Sequence, residues 1–324
     1  MKNETHIITL PNETATQPLS SHTVLCLGNF DGVHIGHKAL LNEAKRQKKR
    51  LSAQYPNISC GVVTFSEPTH ETLSKTPPPR ITDLNEKCQL FRQADMDVLI
   101  ALDFNSVRDM PPSEFVSDIL HKQCNCVMTV CGFNFRFGAG GRGDHDTLAE
   151  LMGGCSVTVP PVELNGITVS STAIRAAVLE GNIEAANAML GRPFCIEGAV
   201  EHGRGVGNKL GFATLNQHFR HGYLIPAHGV YVSSCEIDGM HFPAVSNVGT
   251  HPTFGEHSEA VCETHIIGFC GDLYGKHIKT HLYKFLRPER KFDSPEQLTA
   301  EVMKNIQAAA EYFSNNIAPS KKKV

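Results

Sequence analysis

At 324 residues the chain exceeds one typical domain, and at about 100 to 200 residues per domain it has room for two. Hydrophobic residues make up 41% and charged residues 19%, the balance of an ordinary folded protein, which excludes disordered and fibrous classes. The formal net charge of −3 supplies no sustained basic field, so nucleic acid is not an expected partner.

The opening MKNETHIITL is polar and lacks the apolar core of a signal peptide. No apolar run approaches the roughly 20 residues needed to cross a bilayer. A cytoplasmic protein without a membrane partner is therefore expected, and nothing in the sequence indicates a protein partner. Eleven Cys, an odd count without a CxxC pair, suggest neither a disulfide framework nor a tetrahedral zinc site. Cys124, Cys126 and Cys131 come closest to a cluster, but CNCVMTVC reads as a buried strand.

From Thr23 to about Leu190, apolar strands alternate with helical segments: TVLCLGNF, HKALLNEAKRQKKRL, CGVVTF, LNEKCQLFRQA and MDVLIAL. PSEFVSDILHKQ continues as helix, CVMTVCGF as strand, and DTLAELMGG and TAIRAAVLEGNIEAANAML as helices, the last interrupted near Gly181. Such alternation predicts a parallel sheet with crossover helices. After Arg192-Pro193 the texture changes to short β-like runs separated by Gly, Pro, Asn and Asp, which predicts an antiparallel barrel or sandwich. EIDGMHF is a predicted hairpin with Asp238-Gly239 at its turn. A last amphipathic helix opens at Ser294 and Pro295, in N-cap and first-turn positions.

Two segments concentrate chemistry. GNFDGVHIGHKALL sets three Gly, an Asp and two His at the junction of the first apolar strand and the first helix, where helix amides of α/β sheets face phosphates. His34 and His37 are three apart, hence on one face of a helical turn, and could donate to a phosphoryl group gaining charge. The competing reading is that Asp31 caps the helix and the His are incidental. The second segment is the Gly-rich GAVEHGRGVGNKLGFATLN; no Walker A sequence stands there or elsewhere in the chain. Gly138, Gly140 and Gly143 satisfy a lone GxGxxG outside the first strand-to-helix turn, weak support for a nicotinamide-dependent oxidoreductase.

GNFDGVHIGH resembles the GxFDGVHxGH motif of bacterial bifunctional riboflavin kinase/FMN adenylyltransferases, also called FAD synthetases. Gly132-Phe133-Asn134-Phe135-Arg136-Phe137-Gly138 resembles that family's G-x-[DN]-F-R-F-G, and Val169-Ser170-Ser171-Thr172-Ala173-Ile174-Arg175 its I-S-S-T-x-I-R. Downstream, GNIEAANAMLGRPF, Gly229-Val230-Tyr231, Asn247-Val248-Gly249, Pro252-Thr253-Phe254, Glu263-Thr264-His265 and DLYGK follow in the family's order. Three places depart from it. Phe65-Ser66-Glu67-Pro68-Thr69-His70 stands where F-x-P-H-P is usual, Ala213 and Leu215 replace Pro and Ala, and Asn208 replaces a basic residue.

The resemblance implies an α/β Rossmann-like nucleotidyltransferase domain over 1–187, followed by an antiparallel β-barrel riboflavin kinase domain with a C-terminal helix over 188–324. It implies that His34 and His37 stabilise adenylyl transfer, and that Gly28, Phe30, Asp31, Asn134, Ser171, Thr172 and Arg175 bind flavin and nucleotide. In the kinase half it implies Glu263 as the base, Thr214 and Asn216 as ligands of Mg²⁺ held with ATP, and Gly203 and Lys209 as phosphate contacts. Riboflavin, FMN, FAD and ATP are the implied small-molecule ligands. Rival readings are an enzyme with one active half and a flavin-binding regulator without turnover.

Overall fold

The computed structural model describes residues 6–10, 19–67, 77–201, 214–251 and 259–316. Backbone contacts divide the chain into two compact units, Met1–Ser171 and Thr172–Val324.

The first unit is a six-stranded parallel sheet in the order β1-β4-β3-β2-β5-β6. Its strands are β1 (His6–Leu10), β2 (Thr23–Leu27), β3 (Ser59–Phe65), β4 (Val98–Leu102), β5 (Cys126–Gly132) and β6 (Ser156–Val159). Every residue of β2 and β4 is buried, so these strands read as unbroken apolar runs, as expected where helices cover both faces of a parallel sheet. Leu25, Leu27, Ile100 and Leu102 face one core, and Val24, Cys26, Val62 and Leu99 the other. Helix α1 (Ile35–Leu51) buries Leu40, Leu41 and Ala44 in the second core. Helix α2 (Leu84–Gln93) opens on a complete capping box, with Asp83 accepting from the Glu86 amide and Glu86 accepting from that of Asp83. A single turn, α3 (Phe104–Val107), precedes α4 (Pro112–Glu114), which runs into a π-helical segment, Phe115–Gln123. The expected α-helix is thus largely a π-helix: its apolar spacing buries Phe115, Val116, Ile119 and Leu120, but the Cys124 amide reaches back five residues to Ile119. Helix α5 (His145–Leu151) and the two-residue strands β7 (Glu163–Leu164) and β8 (Ile167–Thr168) complete the unit.

The second unit begins at Thr172, within α6 (Ser171–Leu179), which Gly181 at φ 76° separates from α7 (Ile183–Leu190). It continues as an antiparallel sheet in the order β10-β13-β12-β11-β14-β9. These strands are β9 (Phe194–Ala199), β10 (Thr214–His218), β11 (Gly229–Ile237), β12 (Met240–His251), β13 (Glu259–Ile266) and β14 (His277–Pro288). The sheet curls until its two edges meet, and the Glu201 amide donates to Asn216 O at 2.9 Å across the seam. Gln217, fully buried, completes the closure: its Nε2 donates to Gly198 O (3.2 Å) and Ile278 O (2.8 Å), and its Oε1 accepts from the Thr280 hydroxyl (2.7 Å). The terminal helix α8 (Pro295–Asn316), N-capped by Ser294, seats Ala309 against Val230, Val232 and Val245. Glu301 ties it to Arg287 (3.2 Å) and Arg290 (2.6 Å).

All eleven cysteines are free. Burial pushes the thiols of Cys60 and Cys126 up to about 12, and those of Cys131 and Cys262 to about 11, so the reactive thiolate is suppressed there at neutral pH. Cys155 and Cys270 are exposed. A thiol reagent added to the native protein should label Cys155 and Cys270 rapidly, and Cys60, Cys126, Cys131 and Cys262 only after denaturation. Peptide mapping that found the buried set labelled first would contradict this packing.

Candidate functional site

In the first unit the strand order reverses between β2 and β5: β3 and β4 extend the sheet to one side of β2, β5 and β6 to the other. A reversal of this kind leaves a crevice beyond the carboxyl ends of the two strands, where ligands of open α/β sheets bind. Gly28 follows β2 and Asn134 follows β5, with Leu27 and Cys131 paired across the ladder, so both predicted contacts stand at this crevice.

The loop from Gly28 to His34 is tightly bent. Phe30, Gly32 and Val33 have φ of 52°, 82° and 40°, and the Val33 amide donates to Phe30 O at 3.1 Å. Positive φ is unremarkable for Gly but costs about 1–3 kcal/mol in other residues and persists only where surroundings enforce it. Here they do. Phe30 is fully buried and meets Phe91 edge-on at 5.5 Å. The Asp31 carboxylate accepts from the Ile81 and Thr82 amides, both at 3.0 Å, while Gly32 N donates to the Thr82 hydroxyl at 2.8 Å. Ser171 Oγ donates to Asp31 O at 2.8 Å. Asp31 therefore clasps the loop to segment 81–82 and is not the helix cap.

The cap of α1 is His34, whose Nδ1 accepts from the His37 amide at 3.2 Å. With Nδ1 so used, the ring proton of neutral His34 sits on Nε2. The two imidazoles stack with centroids 3.6 Å apart and planes 16° apart, and His37 also meets Phe30 at 4.9 Å. The stacked pair is suited to donate ring N–H hydrogen bonds to an anion.

Sequence reasoning missed Lys87. It is 9% exposed and its Nζ donates to Asn29 O at 2.7 Å, an oxygen that also accepts from Thr64 Oγ1. Burial lowers its pKa, against a smaller opposing pull from Asp31. Its signal was present: Leu84, Lys87, Cys88 and Phe91 follow the i, i+3, i+4, i+7 spacing of a buried helical stripe, and a Lys occupies one apolar position.

In the second unit, antiparallel register assembles the other set. Asn216 on β10 pairs with Glu263 on β13, and Glu263 pairs with Asn247 on β12. Directly paired residues project from the same face with Cβ atoms about 4.5–5.5 Å apart, so the three form one row. Thr214 pairs with His265 and lies two residues from Asn216, which places it on that face as well. Asn216 is only 5% exposed. Asn247 Nδ2 donates to Glu289 Oε1 at 3.1 Å, and the Glu289 carboxylate occupies the space a Cβ at Gly249 would need. Hydroxyl and amide oxygens from Thr214 and Asn216 are hard donors that fit a cation such as Mg²⁺, with the Glu263 carboxylate in the same row.

Thr172 and Arg175 ride on α6 in the second unit. Gly203, Lys209, Asn208, Ala213, Pro68 to His70 and Pro252-Thr253-Phe254 lie outside the described residues. Of the altered 65–70 segment, Phe65 packs edge-on against Phe104 at 5.3 Å and Ser66 Oγ donates to Leu102 O.

Comparison with known proteins follows the same division. The FAD synthetase family model matches residues 16–173 and the riboflavin kinase family model residues 190–313. The bifunctional riboflavin kinase/FMN adenylyltransferase of Bacillus subtilis is 33% identical over 301 residues, covering 90% of this chain and 93% of its own. Its counterpart in Escherichia coli K12 is 34% identical over 298 residues, covering 90% and 92%. Among solved structures, one described as a macrolide-efflux protein from Streptococcus pneumoniae superposes with a TM-score of 0.85 at 29% identity, covering 96% of this chain and 99% of that one. Among the described residues, no helix is long and apolar enough to cross a membrane.

Proposed function

The chain belongs to the bifunctional riboflavin kinase/FMN adenylyltransferase family, and from that premise we propose that its two reactions run on the two residue sets described above. The protein phosphorylates riboflavin to FMN and adenylylates FMN to FAD. In the first unit His34 and His37 donate to the oxygens of the ATP α-phosphate as an FMN phosphate oxygen attacks it and pyrophosphate leaves. Gly28, Phe30, Asp31 and Asn134 shape the crevice, and Ser171, Thr172 and Arg175 serve the phosphates.

In the second unit Glu263 takes the proton of the riboflavin 5′-hydroxyl as that oxygen attacks the γ-phosphorus. Thr214 and Asn216 would hold Mg²⁺, which when bound neutralises charge on the ATP phosphates. Gly203 and Lys209 are further phosphate contacts in this reading. The observation that carries it is the register pairing of Asn216 with Glu263, which sets the proposed base beside a proposed metal ligand. A cytosolic location is part of the proposal, supported by eleven free thiols.

The functional boundary is proposed between residues 187 and 188, yet a fragment intended to fold should start earlier. Asn187 donates to Leu282 O (2.8 Å) and accepts from the Phe194 amide (2.7 Å), and the Ala227 amide donates to Val178 O (3.1 Å). Incubated with riboflavin, ATP and Mg²⁺, the whole protein should yield FMN and then FAD on chromatographic separation. The fragment 172–324 should stop at FMN and should melt higher than the fragment 188–324. A folded 172–324 fragment that makes no FMN, beside an active whole protein, would overturn the separation of the two sites.

A further inference from the structure

A second cluster in the kinase unit is used by neither reaction. Asp238 and Gly239, both at positive φ (51° and 76°), form a two-residue turn between β11 and β12. Such a turn fixes the register of the strands it joins. Ile237 therefore pairs with Met240, and Glu236 with His241. On the other side of β11, Glu236 pairs with Lys279 of β14 and Ser234 with His281. Glu236, His241 and His281 thus emerge from three adjacent strands on one face.

Their ligand-capable atoms all lie within 4.8 Å of one another. His281 Nε2 is 3.7 Å from Glu236 Oε2, and the two imidazole centroids are 5.3 Å apart. His281 Nε2 is fully shielded from solvent and makes no hydrogen bond. A buried imidazole nitrogen left in that condition is costly in a folded protein, and an ion supplies the missing partner. His241 Nδ1 lies 3.4 Å from Ser234 Oγ, which itself contacts the Tyr283 hydroxyl at 3.1 Å. That contact is the outer support a ligating histidine normally has: one nitrogen is held by a neighbour and the other is left to the metal.

We propose that Glu236, His241 and His281 form a binding site for a divalent transition-metal ion of the Zn²⁺ class, distinct from the Mg²⁺ that accompanies ATP. Two imidazoles and one carboxylate match the three-ligand sets that hold Zn²⁺ with a fourth position open to solvent, and they are poor ligands for Mg²⁺. Lys279, paired with Glu236 across the ladder, has its ammonium 4.0 Å from Glu197. Bound there, the ion would pin β11, β12 and β14 together.

The full-length protein, stripped with a chelator, freed of it and then incubated with excess Zn²⁺, should retain about one equivalent of Zn²⁺ through gel filtration. Co²⁺ should give visible absorption bands that Zn²⁺ abolishes and excess Mg²⁺ leaves unchanged. Thermal denaturation should shift upward with Zn²⁺. His241 is exposed, so His241→Ala should fold normally, as should Glu236→Gln, and each should weaken binding by tenfold or more. Both variants should still turn riboflavin into FMN without added Zn²⁺. The proposal is overturned if no equivalent is retained, if both variants bind as the parent does, or if binding is instead lost on replacing His34 or His37.

Discussion

Glu263→Gln is expected to lower riboflavin phosphorylation by about 10² to 10⁴, the contribution a positioned general base usually makes, while FMN supplied directly still becomes FAD at the parental rate. A primary alcohol is a poor nucleophile at neutral pH, and among the row Asn216, Glu263 and Asn247 only Glu263 can accept a proton. The substitution keeps the side chain's shape. It leaves the backbone pairing of Glu263 with Asn216 and Asn247 untouched, so the strand and its neighbours should be unaltered. The loss should fall on kcat, with KM for riboflavin and ATP changing little, because the interaction removed belongs to the transition state. The alternative is that Glu263 serves only as a polar strand residue paired across the sheet. Near-parental kinase turnover in the variant would establish that alternative. Loss of both activities would point to misfolding and not to a missing base.

The second large effect concerns the stacked histidines. His37→Ala should depress FAD formation by about 10² or more, as for other lost donors to a charge-gathering transition state, and leave FMN formation intact. His34 needs a different substitution, because its Nδ1 also caps α1. Removing a cap costs about 0.5–2 kcal/mol, so His34→Ala would mix a structural loss with a catalytic one. His34→Asn keeps an acceptor at the cap and removes the imidazole ring donor. It should hold the parental melting temperature and still lose FAD formation by a similar factor. Unchanged FAD rates in His37→Ala and His34→Asn would remove the pair from the mechanism.

Much of this architecture is legible in the residues because it is local. Unbroken apolar runs mark β2 and β4, the Asp238-Gly239 turn marks the β11–β12 hairpin, and Ser294-Pro295 marks the start of α8. The harder points depend on partners distant in sequence. A reader of GNFDGVHIGH sees Asp31 as the natural cap, yet its carboxylate is taken by amides 50 residues away and the cap falls to His34. The π-helical turn at 115–123 has the apolar spacing of an ordinary helix, since periodicity reports which face is buried and not which carbonyl each amide reaches. Glu289 could not be linked to Asn247, nor His281 to Glu236 and His241, before strand order and register were known. Pairing of that kind is a property of the sheet and not of any segment within it.

The seam of the second unit has a consequence for how that unit breathes. Strand β10 is joined to β13 by a continuous ladder over five residue pairs, but among the described residues it meets the β9 side through one backbone bridge, the amide of Gln217 and the His218–Glu201 contact at 3.7 Å. At about 0.5–1.5 kcal/mol for each hydrogen bond, parting the seam costs far less than unzipping any ladder in the sheet. Amide exchange in the native state should accordingly be fastest along this line, through openings that never approach global unfolding. Thr214 and Asn216 sit on the moving lip while their pairing with Glu263 and His265 stays intact. The same few bonds that close the barrel therefore set how readily its rim can widen, with the paired row of Thr214, Asn216, Glu263 and His265 carried along as one piece.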